Sequence, residues 1–162
     1  MIENAKVVDV FGRELYFTRQ GRMGVELSWL DNDRLISKKV VDRQKQSLMP
    51  CITPKGDGMV LVFGELEGLV SPYDACIFNA NGSVRVHLIP PKLISEEFKE
   101  YEIKVGKIES QKNIRFLWPY YFKKDGHDFL VIAVGFNNDW YEIRELNPNT
   151  GKFGQCFGAT KQ

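Results

Sequence analysis

The chain has 162 residues, 22 Lys plus Arg against 21 Asp plus Glu, and a formal net charge of +1. That length builds one domain with a real core, and the charge balance argues against a general nucleic-acid binder, which carries a basic excess. An apolar fraction of 43% with mixed charge argues against disorder.

The opening "MIENAKVVDV" mixes charges with apolar residues, which predicts no export signal. The longest apolar run, "FLVIAVGF" from Phe129 to Phe136, is too short to cross a bilayer as a helix. Cys51, Cys76 and Cys156 are odd in number, far apart and outside any CxxC or CxxH spacing. They are expected to be buried free thiols in a reducing compartment, which fits a cytoplasmic protein with no membrane contact.

In chain order, short runs rich in Val, Ile, Phe and Tyr dominate. They are "KVVDVFG", "ELYFTRQ", "GVELSWL", "LISKKVV", "MVLVFGEL", "DACIFNA", "SVRVHLI", "NIRFLWPYYF", "DFLVIAVGF", "WYEIREL" and "KFGQCFG". Partial alternation, with Gly, Asn, Asp or Pro at nearly every junction, predicts strands and tight turns. One stretch reads as helix: in "KLISEEFKEYEIK", Ile94, Phe98 and Tyr101 share a helical face. Ser95 is placed to cap a short helix near 93–100, with Glu96 and Glu97 in its first turn. Tyr101, Ile103 and Val105 then return to a period of two and suggest another strand.

Three turns, "WLDNDRLIS" at 29–37, "FNANGSVRV" at 78–86 and "ELNPNTGKF" at 145–153, place Asn, Asp and Gly between alternating strands. Their spacing indicates an internal repeat. Pro50 to Pro119 is 119 − 50 = 69, Gly82 to Gly151 is 151 − 82 = 69, and Gly58 to Gly126 is 126 − 58 = 68. The expected fold is all-β: a single domain over 1–162, an antiparallel meander of about three four-stranded units. The units span roughly 5–41, 46–90 and 112–158, with an insertion at 92–111. "WYEIRELNPNTGKF" resembles the outer hairpin of a β-propeller blade, as in the quinoprotein and WD-repeat superfamilies, although Gly-His and Trp-Asp signatures are absent. That resemblance implies propeller-blade-like units. Three is fewer than the four to eight of a closed propeller, so an open stack, a three-bladed body and pairing with another copy all stay open.

In such a meander, connections alternate between two ends of each sheet. One rim collects the tight turns. The other collects "RQGRMG" (19–24), "DRQKQS" (42–47), "GELEGLVSPYD" (64–74), the insertion and "GFNNDWY" (135–141). On this second rim Glu65, Glu67, Asp74 and Asp139 accompany Tyr73 and Trp140. Carboxylates flanked by aromatics suit a basic protein partner, with charge steering the encounter and rings supplying buried anchors.

Groups for catalysis are sparse. His87 alternates with Val84, Val86 and Leu88 and reads as a wall or edge residue, and His127 lies in the polar turn "KKDGHDF". GxSxG, HExxH and phosphate-loop patterns are absent. "DNDRLISKKVVD" lacks the Gly and the Glu of a calcium loop. No cofactor, metal or catalytic residue is therefore expected. By type (small, β, acidic-rimmed, without catalytic groups) the chain resembles the bacterial immunity proteins of toxin–immunity pairs, including contact-dependent growth inhibition. That resemblance implies a bacterial, non-catalytic inhibitor that covers the active site of a cognate basic toxin, such as a nuclease, with no nucleic acid bound directly. The alternative is a carbohydrate- or small-ligand-binding domain, with or without hydrolase activity. It would use Trp118, Tyr120 and Phe122, which share one strand face opposite Leu117 and Tyr121, together with His127 and Asp128. A third reading is a structural unit that completes a larger propeller by self-association.

Overall fold

The computed structural model describes residues 1–70 and 73–162. It contains three four-stranded antiparallel sheets and two short helices. The first sheet holds β1 (Ile2–Val8), β2 (Glu14–Tyr16), β3 (Glu26–Asp31) and β4 (Arg34–Lys39). The second holds β5 (Met49–Ile52), β6 (Gly58–Val62), β7 (Ala75–Asn79) and β8 (Val84–His87). The third holds β9 (Arg115–Lys124), β10 (His127–Gly135), β11 (Trp140–Leu146) and β12 (Phe153–Lys161).

The second and third sheets are plain meanders, ordered β5-β6-β7-β8 and β9-β10-β11-β12. The first departs from the expected meander: its order is β2-β1-β3-β4, so β2 folds back on the far side of β1. The chain must then cross from one side of the sheet to the other, and "RQGRMG" makes that crossing. It is not a free rim loop. Ile52 N donates to Arg19 O (2.7 Å), Gly21 N to Pro50 O (3.0 Å), and Gly24 and Leu48 exchange backbone bonds, so the segment lies along β5 like an added strand. β5 itself gave no strand signal of its own, because it is four residues long and contains Pro50.

Hairpin chemistry follows the sequence closely. Asn32 and Asp33 (φ 51° and 65°), and Asp125 and Gly126 (φ 52° and 77°), fill two-residue turns with both residues left-handed, the geometry that matches strand twist. Gly82 and Gly151 occupy longer turns, of three and four residues, with φ of 90° and 73°. The third marker pair needs correcting. Gly58 opens β6, and the left-handed glycine of its unit is Gly56 (φ 71°), which is the counterpart of Gly126.

The middle sheet is buried on both faces. Met59, Leu61, Cys76 and Phe78 pack with Leu27, Trp29 and Ile36 of the first sheet. The alternate residues Val60, Val62, Ala75 and Ile77 pack with Leu130, Ile132 and Val134 of the third. This is why "MVLV" and "ACIF" read as continuous apolar runs rather than as clean alternation. Successive units dock by one device: the turn before strand four of a unit rests on strand four of the unit before it. Lys38 Nζ donates to Gly82 O (2.7 Å), and Arg85 Nη1 donates to Pro148 O (2.9 Å).

Within the insertion, α1 runs from Glu96 to Val105 and α2 from Lys107 to Ser110. Ser95 caps α1 as expected, its hydroxyl accepting from Phe98 N at 3.2 Å. The strand expected at 101–105 does not form. Helix continues through Val105 and stops at Gly106 (φ 90°), and Ile103 is exposed, so its alternation reflects no burial. Phe98 meets the Phe136 ring edge-on at 5.3 Å and closes the core between the second and third sheets. Among the described residues no helix is long and apolar enough to cross a membrane.

Candidate functional site

The tight turns of the second and third sheets lie at the same end. Tyr121, near the close of β9, donates its hydroxyl hydrogen to Ile52 O at the close of β5 (2.7 Å), and Arg85 reaches Pro148. The described parts of connections 63–74 and 136–139 therefore lie at the opposite end. Ser71 and Pro72, within the first of these, are outside the described residues.

At that end the six sequence-selected residues fall into two patches. In the first, residues 65–67 lie along the close of β4 as a short added strand: Val41 N donates to Glu65 O (3.0 Å) and Glu67 N to Lys39 O (2.8 Å). Leu66 is buried between the first and second sheets while Glu65 and Glu67 are exposed, so the alternation of "ELE" anchors the segment and presents both carboxylates outward. Asp74 and Tyr73 are also exposed. Partial desolvation, and then the Glu65 charge, push the Asp74 carboxyl above its ordinary value. Burial disfavours the charged carboxyl first, and the nearby Glu65 carboxylate adds to the same effect.

In the second patch, Asn137 Oδ1 accepts from the backbone N–H groups of Asp139 and Trp140, both at 2.8 Å, which fixes the turn. Asp139 is exposed. Trp140 packs on the core and lines a groove of about 290 Å³ with Tyr101, Glu97, Glu100 and Lys104 of α1. Sequence reasoning missed these helical partners. Their 97, 100, 101, 104 spacing marks one helical face, but nothing in it says which loop that face meets. Among the described residues, Glu65, Glu67, Asp74 and Asp139 enter no salt bridge, unlike Glu14, Glu26 and Asp128.

No family model, curated protein or solved structure matches the chain.

The aromatic strand lies on the outward face of the third sheet. Trp118 and Tyr141 meet edge-on at 5.1 Å, and Phe157 sits 5.1 Å from Phe122 and 5.0 Å from Phe129. Leu117 does not share a face with Tyr121. It sits in a bulge opposite Ala133 and Val134, and its side chain lies beside Gly135. Tyr121 faces inward.

His127 and Asp128 do not act as a pair, because consecutive strand residues point to opposite faces. Asp128 is held by Arg19 (2.8 Å), whose hydrogen bond keeps the carboxyl below its ordinary value, while His127 stands beside Phe129. Among the cysteines, Cys51 and Cys76 are buried and Cys156 is half-buried. Burial pushes Cys51 up to about 12. His87 lies on the edge strand β8 with its Nδ1 3.1 Å from Cys76 Sγ. Among the described residues no group of His, Cys, Asp and Glu is arranged to hold a metal.

Proposed function

We propose that this chain is a non-catalytic binding protein, an immunity protein that neutralises a basic bacterial toxin in the cytoplasm by occluding its active site. The observation that carries this reading is a set of exposed carboxylates at one end of the stack, in no salt bridge among the described residues, with a Trp140–Tyr101 groove beside one patch. Bringing Glu65 and Asp74 together costs repulsion that a cationic partner surface relieves. Glu65, Glu67 and Asp74 would meet basic residues that otherwise hold phosphate, and Asp139 and Trp140 would add a second point of attachment, with Tyr73 packing alongside. The test is a pull-down from native lysate with mass spectrometry, followed by binding titrations of E65K/E67K against the captured protein. The reading expects one basic, toxic protein in stoichiometric amount, and a loss of about 2 kcal/mol or more in affinity with a shallower salt dependence in the variant. Unchanged affinity and salt slope would overturn it.

One observation favours the alternative. Trp118, Tyr120, Phe122 and Phe129 share an outward sheet face, where flat rings can stack on a sugar. A panel of soluble glycans read by tryptophan fluorescence tests it: saturable quenching that is lost in Trp118→Ala supports a sugar platform, and no quenching dismisses it. The separated His127 and Asp128 give hydrolysis no support.

A further inference from the structure

A groove of about 580 Å³ runs between β8, the 89–94 segment and the β11–β12 turn. Its volume is in the range of small-ligand sites. Ile89, Ile94 and Phe153 supply apolar walls, and Lys92 and Lys152 stand at its edge. Both lysines are exposed, and neither enters a salt bridge among the described residues. No carboxylate lines the groove among those residues.

Its floor contains Arg144, which is 6% exposed. A guanidinium has five N–H donors. Four hydrogen bonds occupy Arg144: Nη1 to Lys92 O (2.9 Å) and Glu142 Oε2 (3.0 Å), and Nε and Nη2 to Gly154 O (3.4 and 3.3 Å). One Nη2 hydrogen is left without an acceptor among the described residues. A buried, rigidly held guanidinium with a spare donor under two unpaired lysines is an arrangement for an anion. The Glu142 charge beneath it cancels that of Arg144, so the lysines set the sign of the field at the mouth. The apolar walls then select an anion with a hydrocarbon body over a bare inorganic one.

We propose that this groove binds a small amphipathic anion, a carboxylate or sulfonate head on a short aliphatic or aromatic body. The head lies against Lys92, Lys152 and the free Arg144 donor, and the body lies along Ile89, Ile94 and Phe153. This site includes none of the acidic residues assigned to toxin binding and stands independently of that reading.

The test is an amide NMR titration of the full chain with decanoate below its micelle concentration, with decyltrimethylammonium as the cationic control. Saturable shifts at residues 86–94 and 150–153, at least about tenfold weaker in K92E/K152E, are expected. The cation should leave these residues unmoved. Both lysines are exposed, so the variant should fold, and its thermal unfolding checks this. The proposal is overturned by shifts that do not saturate, by shifts centred on the aromatic face of the third sheet, by equal binding of the cation, or by a folded double variant that binds decanoate as before.

Discussion

At the scale of single residues, Tyr121 does the most to tie the three units together. Its hydroxyl bonds Ile52 O in the second, and the Arg19 guanidinium from the first lies 3.4 Å over its ring on the way to Asp128. Burial, followed by the neighbouring Cys51, raises its phenol to about 12, and burial with Tyr141 does the same for Tyr120. Two of the six tyrosines should therefore ionise at about 12 in an ultraviolet titration. In Tyr121→Phe one of these should vanish, with a stability loss of about 1 kcal/mol in urea unfolding, because Ile52 O loses its donor. The alternation of "FLWPYYF" made it legible that Trp118, Tyr120 and Phe122 share a face opposite Tyr121, but not which of the two faces meets the core. Leu117 was not legible, because a bulge adds one residue without leaving a mark in composition.

Among the elements, α1 depends on a buried pair that no sequence pattern announced. Glu142 Oε1 accepts from Ile94 N (2.9 Å) and Ser95 N (2.7 Å), and Glu142 and Arg144 are bonded at 3.0 Å under the start of the helix. In the sequence they are two charges in "WYEIREL", spaced as a strand spaces one face, and they read equally well as solvated. Only the insertion folding over them makes them interior. Glu142→Ala should cost about 3–5 kcal/mol in denaturant unfolding, because it strands the Arg144 charge and two backbone donors. The accompanying sign would be faster amide exchange across α1. The helix itself was legible at its start, through Ser95, and overrun at its end. The groove that α1 forms with Trp140 joins residues 97–104 to residue 140, a pairing that spacing along the chain cannot supply.

For the whole molecule, the repeat offset of 69 anticipated the second and third four-stranded units and the "WLDNDRLIS" turn the first, and the doubled apolar faces of β6 and β7 explain how they stack. Because both core clusters draw on the middle sheet, its two central strands open only when both cores do. Native-state hydrogen exchange should find the slowest amides in β6 and β7 and faster ones in β2 and β12, and comparable rates in all three sheets would contradict this account of the core. The topology of the first sheet stayed hidden, since a hairpin folded to either side of β1 uses the same residues. The placement of the two ends has a mechanical consequence. The N-terminal strand β1 is flanked on both sides by hydrogen-bonded neighbours, whereas the C-terminal strand β12 is held along one side only. Tension applied between the termini would therefore peel β12 away from β11 a pair at a time, beginning with the Gln162 N to Asp139 O bond and then where Lys161 faces Trp140, while the N-terminal anchor holds. The wall of the α1 groove formed by Trp140 would be the first feature disturbed by a pull on that end.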